Sequence, residues 1–301
     1  MSATLRPGAG AGRTALPRQR VKVGRLLRRL PLYITTHGAL IAVGFIIAIP
    51  FLWTLSSSFK DISQIYNYPP NLIPAPATTQ NYSDLFGTTN FLRWYLNSFG
   101  VAIIETILTV FFSSLAGFAF AKYTFTGQKT LFNVMIGTLM VPFQLVLIPL
   151  FILMSKIGWT NSYQSLIIPF VAPAFGIFLM RQFMVKGVPS EMLEAGRIDG
   201  CSEFRLYWRL ALPVSRPALG ALSIFSFLGS WNSFIWPGMM MSSNNLFTLP
   251  LGIQNLLSAS SATGYGQAMG AAFLASVPLI IVFMLMQRQF ISGLTVGAVK
   301  G

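Results

Sequence analysis

The chain has 301 residues, of which 53% are hydrophobic and only 9% are charged, and its formal net charge is +14. Soluble domains carry about 25% charged residues, so this composition excludes an ordinary soluble protein and indicates a membrane protein. The single cysteine, Cys201, and the single histidine, His37, exclude an intrachain disulfide, a cysteine-based metal cluster and a multi-histidine metal site, and we expect no metal ion.

The chain begins with a basic tail that is followed by a long apolar run. The tail, residues 1–30, holds eight of the 21 lysines and arginines. The run 30–59 contains no Asp, Glu, Lys or Arg, and a membrane-spanning helix needs about 20 mostly apolar residues. A signal peptide starts in the same way, but this run is too long and lacks a small-residue cleavage site before a polar mature segment. We therefore predict an uncleaved first span.

Five further spans are predicted from the remaining apolar stretches. The second stretch is interrupted only by Glu105, a lone intramembrane carboxylate for which contact with water and a position at an interface are both open. The last stretch, 217–287, has no charged residue or histidine over 71 residues, and its middle, rich in Ser, Asn and Gly, predicts a loop between two spans. The five predicted spans cover residues 94–121, 130–155, 157–180, 212–236 and 268–287.

The lysines and arginines predict the orientation of these spans. If the N-terminus is cytoplasmic, 18 of the 21 basic residues fall on the cytoplasmic side, and Lys60, Arg93 and Lys156 fall outside. Positively charged loops remain inside the cell, so this bias predicts cytoplasmic N- and C-termini. The topology also accounts for the net charge, which therefore needs no nucleic acid partner, and the basic tail is expected to touch anionic membrane lipid.

The largest predicted cytoplasmic loop joins the fourth and fifth spans and contains four of the seven acidic residues. Ser190 is a suitable N-cap for a first helix, and Gly200 is a suitable C-terminal stop. Ser202 can cap a second helix, and Pro213 is expected to mark the turn into the fifth span. These local signals predict a helix, a glycine turn and a helix, and by themselves they are also typical of a solvated amphipathic loop.

The first helix of this loop is predicted to have two different faces. Spacings of three, four and seven residues place Met192, Ala195, Gly196 and Asp199 on one face. Because this face carries one large apolar residue and is otherwise small, it allows another surface to approach closely. Two larger residues on the opposite side are expected to anchor the helix to the protein's own helices: Leu193 and Ile198.

The loop also follows a longer pattern: Glu-Ala-small, three residues, Gly, nine residues, an aliphatic residue, one residue, and Leu-Pro. The matching residues are Glu194, Ala195, Gly196, Gly200, Leu210, Leu212 and Pro213. This pattern resembles the "EAA" loop of the membrane subunits of ABC importers. The present chain departs from that loop at two positions, with Gly196 in place of the usual Ala and Leu210 in place of the usual Ile. The segments "NSFGVAI", "MVPFQLVLIPLF", "SWNSFIWP" and "GLTVGAVKG" resemble carbohydrate-importer permeases of the maltose type, from about residue 90 to the end.

This resemblance implies an all-α membrane protein with six transmembrane helices and a cytoplasmic helix-turn-helix coupling loop, the type I ABC importer transmembrane fold. It implies a basic cytoplasmic tail (1–30), a first transmembrane helix with an outer loop (31–90), a transmembrane core (91–290) and a cytoplasmic C-terminal tail (291–301). The expected location is the bacterial cell membrane, which the chain crosses several times. The expected role is the permease subunit of an ATP-driven importer for a sugar or sugar derivative.

The resemblance also implies partners: a second permease in a heterodimer, two copies of a cytoplasmic ATP-binding subunit, and an extracytoplasmic substrate-binding protein. The sequence has no Gly-Lys-Thr or Gly-Lys-Ser, so it lacks the Walker cradle for phosphate. We therefore expect no cofactor in this chain and no enzymatic activity, with ATP and Mg²⁺ bound by the partner ATPase. The outer loop 247–266 is expected to face the binding protein.

The resemblance assigns the acidic loop to coupling with the ATPase. The expected coupling residues are Glu191, Glu194, Ala195, Gly196, Asp199, Gly200, Leu212 and Pro213. The two glutamates in this set would pair with basic groups of the ATPase. The two small residues that follow them would permit close contact, and Gly200 would set the turn.

A substrate path is predicted from residue types in the third and fifth spans. Amide side chains bind hydroxyl groups and aromatic rings stack on sugar faces, so the expected path residues are Gln144, Trp231 and Asn232. The same residue types also suit interhelical hydrogen bonds and an interfacial aromatic belt. The cargo is left open between a sugar, a polyol and a glycerophospho compound.

Two other classes of membrane protein are weighed against this importer hypothesis. A transporter driven by an ion gradient is expected to carry ionisable residues in several spans and an internal repeat, but only Glu105 qualifies and no repeat is evident. A membrane-bound enzyme needs a cluster of catalytic side chains near the interface, and the sequence offers none.

Overall fold

A computed structural model of the chain describes residues 23–65, 67–258 and 263–298, with side chains described for 33–65, 67–258 and 264–285. Most of the predicted basic tail and the end of the predicted C-terminal tail lie outside this part. Within it no strand forms, and β pairing is confined to an isolated antiparallel bridge between Lys60 and Ala77. The predicted all-α fold is therefore confirmed.

The helices follow one another along the described residues. In chain order they are α1 (Val23–Ser58), α2 (Ile62–Ile65), α3 (Gln80–Thr88), α4 (Phe91–Lys122), α5 (Gln128–Thr138), α6 (Phe143–Lys156), α7 (Tyr163–Ile167), α8 (Ala174–Gly187), α9 (Ser190–Ile198), α10 (Glu203–Leu206), α11 (Leu212–Val214), α12 (Arg216–Trp231), α13 (Ile235–Met240), α14 (Leu249–Ser258) and α15 (Thr263–Ala298). Short 3₁₀ turns form at Ile168–Phe170 and Asn244–Leu246, and a π-helical turn, Tyr207–Ala211, joins α10 to α11. The chain forms two compact units, Met1–Phe51 and Leu52–Gly301. The helices from α2 onward belong to the second unit.

Four segments of the described chain are each long and apolar enough to cross a membrane. They are Tyr33–Ser58, Phe91–Lys122, Tyr163–Gly187 and Gly264–Leu285. Two bent pairs pass the same test: α5 with α6, at an angle of 101°, and Glu203–Val214 with α12, at 83°. The predicted total of six spans is reached when each bent pair counts as one span. In the first span, Ile41 and Ile47 are both 72% exposed, as suits side chains that face lipid.

Prolines account for the two bends. Between α5 and α6, Pro142 has extended backbone (φ −58°, ψ 133°) and directly precedes α6. Between α11 and α12, Pro217 lacks the N–H that a continuous helix would bond to the carbonyl of Pro213, and the helix is interrupted at Ser215. The third and fifth predicted spans are therefore each broken by a bend.

The centre of the second unit is the packing of α4 against α8 and α12. A Cβ added to Gly117 of α4 would lie 2.7 Å from the Met180 Cβ and 2.9 Å from the Arg181 backbone nitrogen. A Cβ added to Gly176 of α8 would lie 2.6 Å from the Ser113 Oγ. Small residues of this kind let helix backbones approach closely, which drives association in a membrane, where burial of apolar side chains gains little.

The predicted loop between the last two spans contains a ten-residue helix, α14, so that part of the loop prediction was wrong. Leu249 and Leu256 are buried, and a Cβ at Gly252 would lie 2.2 Å from the Trp94 ring. The hydroxyl of Ser98 accepts the backbone N–H of Leu249 at 2.7 Å. Packing on α4 therefore overrides the turn-forming signal of the neighbouring Ser and Asn residues.

Candidate functional site

Helix α9, the first helix of the acidic loop, begins one residue earlier than the capping signal predicts. Pro189 holds the capping position with extended backbone (φ −63°, ψ 139°), and Ser190 is the first helical residue, without a side-chain capping bond. The proline ring fixes φ near the helical value and so prepares the start of the helix. Glu191 lies in the first turn, where the positive end of the helix dipole stabilises a carboxylate.

Gly200 ends α9, as the sequence predicts. Its φ of +77° lies in the left-handed region, where a side chain is strained. The Cys201 N–H donates to the Gly196 carbonyl at 2.9 Å, and the Gly200 N–H donates to the Arg197 carbonyl at 3.0 Å. This pair of bonds is the Schellman motif, which satisfies the last carbonyls of a helix and turns the chain toward α10.

The inner face of α9 is Met192, Leu193 and Gly196. Leu193 is 2% exposed, and Gly196 is buried against the side chains of Leu206 and Leu210. The sequence placed Met192 and Gly196 on the face offered to a partner, and this placement was wrong. Gly196 is small because the second helix of the same loop packs on it.

The outer face of α9 consists of residues at spacings of three, four and seven: Glu191, Glu194, Ala195 and Ile198. All four are exposed, and Ile198 is 87% exposed. The prediction that Ile198 anchors the helix inside the protein was therefore wrong, whereas the same prediction for Leu193 is confirmed. Asp199, which follows the last helical residue, is also exposed. The outer face of α9 thus presents two carboxylates beside a small and an apolar side chain.

A polar link joins α9 and α10 to the end of α4. Arg197 donates two hydrogen bonds to the Glu203 carboxylate, Nε to Oε1 at 2.8 Å and Nη2 to Oε2 at 3.2 Å. The hydroxyl of Tyr123, the residue after α4, donates to the same carboxylate. Burial, together with this hydrogen bond to Glu203, raises the pKa of Tyr123 to about 12, so the hydroxyl is a donor at neutral pH. The hydrogen bond to Glu203 likewise raises the pKa of Arg197.

The loop is continuous with a buried apolar cluster of the membrane helices. The buried members are Phe118, Met180, Met184, Val188, Leu193, Leu206, Tyr207, Ala211, Ala218 and Leu222. They come from α4, α8 and the residue after it, α9, α10, the π-helical turn and α12. Tyr207 is 1% exposed, and its hydroxyl shares a hydrogen bond with the Ser114 hydroxyl of α4 at 2.8 Å. The loop is therefore packed onto the spans as part of one core.

Two of the predicted coupling residues lie further along the loop. Leu212 and Pro213 belong to α11, where Leu212 is half-buried and Pro213 is exposed. The expectation that Pro213 marks the turn into the fifth span was wrong, because the chain stays helical through Val214 and bends at Ser215.

Sequence reasoning did not select two exposed aromatic residues of the loop. Phe204 and Trp208 are 58% and 55% exposed, and their rings stack with centroids 6.2 Å apart and an interplanar angle of 20°. Their spacing of four residues, which places them on one side of a helix, was the available signal. They extend the exposed surface of the loop beyond α9.

The three predicted path residues do not meet in one site. Trp231 is 2% exposed, its Nε1 donates to the Ala275 carbonyl at 3.1 Å, and its ring stacks on Phe227 at 5.7 Å. The amide of Asn232 donates to a carbonyl of its own helix. Trp231 and Asn232 border a cavity of about 390 Å³, whereas Gln144 is exposed on the first turn of α6 and does not line it. The role of these residues in a path stays a prediction.

The fold matches that of solved importer membrane subunits. A chain of a bacterial ABC transporter involved in the import of the acidic polysaccharide alginate superposes with a TM-score of 0.77, covering 87% of this chain and 98% of that one at 18% identity. A chain of a bacterial alginate ABC transporter in complex with alginate pentasaccharide-bound periplasmic protein superposes with a TM-score of 0.62 at 13% identity, covering 88% and 95%. At these identities the likeness shows the fold, which is the predicted type I importer fold.

Curated relatives match most of the chain. The arabinooligosaccharides transport system permease protein AraQ of Halalkalibacterium halodurans is 36% identical over 262 residues, covering 86% of this chain and 93% of the relative. The lactose transport system permease protein LacG of Rhizobium radiobacter is 34% identical over 275 residues, covering 91% and 98%. The sn-glycerol-3-phosphate transport system permease protein UgpE of Yersinia pseudotuberculosis is 33% identical over 273 residues, covering 88% and 97%.

A family model also matches the part of the chain that contains the acidic loop. Residues 109–296 match the binding-protein-dependent transport system inner membrane component. This range runs from α4 through the acidic loop and into α15. The chain therefore belongs to this family, and it is a multi-pass inner-membrane permease subunit of an ABC importer rather than an enzyme.

Proposed function

We propose that this permease couples ATP hydrolysis by separate subunits to the import of a sugar or sugar derivative, and that residues 189–213 are the coupling loop. Relatives named for arabinooligosaccharides, lactose and sn-glycerol-3-phosphate support the cargo class. The proposed complex contains a second permease, two copies of an ATP-binding subunit and an extracytoplasmic binding protein. The alginate transporter in complex with a periplasmic protein, which has the same fold, supports the last of these partners.

One observation carries the coupling role: the two faces of α9 are sharply different. The inner face is buried in the core of the spans through Leu193, while the outer face presents Glu191, Glu194, Ala195 and Ile198 without cover from the described chain. Carboxylates beside an exposed apolar side chain suit a basic and partly apolar cleft on a partner. We assign the ATP-binding subunit as that partner.

The packing provides a route for force from the loop to the membrane helices. A push on α9 reaches α4 and α8 through the buried cluster and reaches α12 through the continuous segment from α10 to α11. The Schellman turn at Gly200 and the link from Arg197 to Glu203 hold the two helices of the loop at a set angle. Interiors that are close-packed transmit displacement instead of absorbing it.

The orientation of the chain follows from its charges in this proposal. The excess of Lys and Arg in the tail and in the acidic loop favours a cytoplasmic position for both. ATP and Mg²⁺ are then bound by the partner subunits on that side, and the segment around α14 faces the binding protein on the other. The first-turn position of Glu191 and the exposed Glu194 fit contact with basic groups of the cytoplasmic subunit.

A cross-linking experiment on the assembled importer tests this assignment. In a Cys201→Ser background, Ala195→Cys places a single thiol on the outer face of α9, and a short thiol-to-amine reagent is expected to join it to the ATP-binding subunit. The matched control is Ser83→Cys on the exposed side of α3, which is expected to give no such product. Failure of Ala195→Cys to react with the ATP-binding subunit, or equal reaction of the α3 thiol, would contradict the proposed coupling role.

A further inference from the structure

A cavity that contains a carboxylate lies among the membrane helices, away from the coupling loop. Its volume is about 290 Å³. The lining residues that bear on its chemistry are Glu105, Phe143, Phe170, Ser230, Ser233 and Trp236. Glu105 lies near the middle of α4, 14 residues after Phe91, and it is the sole carboxylate of the predicted spans. A carboxylate at such depth is costly and marks a functional site by default.

The polar side of this cavity has unused hydrogen-bonding capacity. The Ser230 hydroxyl donates to the Glu105 Oε2 at 2.6 Å, and among the described residues it is the one partner of this carboxylate. A carboxylate offers about four lone-pair sites, so most of its acceptor capacity remains free. Thr248 also lines the cavity, is 4% exposed, and its hydroxyl oxygen makes no hydrogen bond to any described residue. Buried polar groups of this kind require a partner.

Three aromatic residues also line the cavity. Phe143 and Phe170 have ring centroids 5.8 Å apart, and Phe170 and Trp236 have centroids 5.9 Å apart, both in edge-to-face geometry. The indole N–H of Trp236 is occupied by the Ser165 carbonyl at 2.8 Å, which holds this ring in place. A cavity lined by both aromatic rings and acceptor oxygens suits a ligand with an apolar ring face and hydroxyl edges.

Three residues that line the cavity lie at breaks between helices. Phe143 begins α6 directly after the 101° bend, Phe170 ends the 3₁₀ turn before α8, and Ser233 lies between α12 and α13. Discontinuous helices form the substrate sites of many transporters, because irregular backbone inside a membrane persists only where protein or a polar cavity covers it. This placement favours a ligand site over a packing defect.

We propose that this cavity, which we call the Glu105 cavity, binds a neutral polyhydroxylated molecule as it crosses the membrane. The proposal rests on the proposed function and adds a contact between this chain and the cargo. Glu105 accepts ligand hydroxyl groups, with Ser230 holding the carboxylate in position, and Phe170 packs against the ring face. The described residues that line the cavity include no Lys, Arg or His to pair with a phosphate or carboxylate group on the ligand, so a neutral sugar fits the cavity better than sn-glycerol-3-phosphate.

Protection of a cavity thiol provides the test. In a Cys201→Ser background, Ser233→Cys supplies a half-buried thiol at the cavity, and Ser242→Cys supplies an exposed control thiol outside it. Alkylation by a small maleimide is followed on the purified importer complex in lipid nanodiscs, with lactose, arabinotriose or sn-glycerol-3-phosphate added. At least one neutral sugar is expected to slow alkylation of Ser233→Cys and to leave Ser242→Cys unchanged, while sn-glycerol-3-phosphate has no effect.

Variants of the carboxylate complete the test. Glu105→Gln is expected to raise the sugar concentration that halves the alkylation rate about ten-fold, because one hydrogen bond to the carboxylate is lost. Ser230→Ala is expected to raise this concentration less. Retention of the complex on gel filtration shows that each variant is folded. No protection by either sugar, equal protection by sn-glycerol-3-phosphate, or unchanged protection in Glu105→Gln overturns the proposal. Binding-protein-stimulated ATP hydrolysis of the unsubstituted complex reports the proposed function separately, because it does not depend on the identity of the cavity ligand.

Discussion

Gly196 of α9 packs directly against Leu206 of α10, so closely that a Cβ added to Gly196 would lie 2.5 Å from the Leu206 Cδ2. The contact brings the two helices of the coupling loop together on their inner sides. Leu206 is 0% exposed and belongs to the buried apolar cluster of the membrane helices, so this contact holds α9 to those helices. The glycine therefore serves the internal packing of the loop.

Substitutions of Gly196 of different size test this packing. The Cβ of Gly196→Ala would meet the flexible end of the Leu206 side chain, which must shift to make room. Alanine also gains about 1 kcal/mol in helix propensity over glycine. Because the gain offsets the cost of the shift, we expect little change in thermal stability. Gly196→Leu cannot be accommodated and is expected to displace α9, with a loss of about 1–3 kcal/mol from overpacking. Thermal unfolding of the purified complex and binding-protein-stimulated ATP hydrolysis measure the two effects. Normal behaviour of Gly196→Leu would show that the two helices separate freely.

Charge reversal of Glu194 tests contact with the ATP-binding subunit. Glu194 is exposed on the outer face of α9, so Glu194→Arg is expected to leave the fold of the permease intact. Facing a basic partner surface, the new charge is expected to cost about 2–5 kcal/mol of binding, which weakens assembly at least about 30-fold. Co-purification of the ATP-binding subunit and its stimulated hydrolysis are the measurements. Asp61→Arg reverses an exposed carboxylate outside the loop and is the control that should assemble normally.

Substitutions of Gly200 test the turn between the two helices of the loop. At a φ of +77°, Gly200→Ala is expected to cost about 1–2 kcal/mol, because a Cβ disfavours left-handed backbone. No atom lies within 4 Å of the Cβ that would be added, so the cost comes from the backbone and not from a clash. Gly200→Asn is the matched control, since asparagine tolerates this conformation, and its melting temperature should fall between those of the other two. Equal melting temperatures for all three proteins would rule out a required left-handed turn.

Two glycines of α4 test the close contact with α8. Gly117→Ala would bring its Cβ to 2.7 Å from the Met180 Cβ and 2.9 Å from the Arg181 backbone nitrogen, and we expect a loss of about 1–3 kcal/mol. Gly100 lies on the same helix with nothing within 4 Å of an added Cβ, so Gly100→Ala is expected to be neutral or slightly stabilising. Thermal unfolding in one detergent compares the two variants. A neutral Gly117→Ala would mean that the backbones are not in contact.

The features that were predicted correctly from the sequence depend on residues near one another in the chain. The apolar spans follow from composition within each stretch, and the end of α9 follows from one glycine, because a left-handed residue closes a helix wherever it occurs. The spacing of Glu194, Gly200 and Pro213 sufficed to indicate the importer family, which the comparisons then established. None of these inferences needs to know what lies on the other side of a helix.

Tertiary structure decided the features that depend on a neighbour. Ile198 and Gly196 exchanged their predicted places, because which side of a short amphipathic helix is covered depends on where α10 packs. Trp231 became a core residue through its contacts with α15 and Phe227, and α14 formed because α4 offers an apolar surface to it.

The sequence by itself determined the class of the protein, the approximate spans and the acidic segment that joins two of them, since these depend on hydropathy and on residues near one another in the chain. Only the tertiary structure decided which face of α9 is free and that Glu105 meets Ser230 in a cavity with aromatic residues in its lining. The physical reason is that burial and hydrogen bonding between helices depend on how the helices pack, and local sequence does not specify that packing.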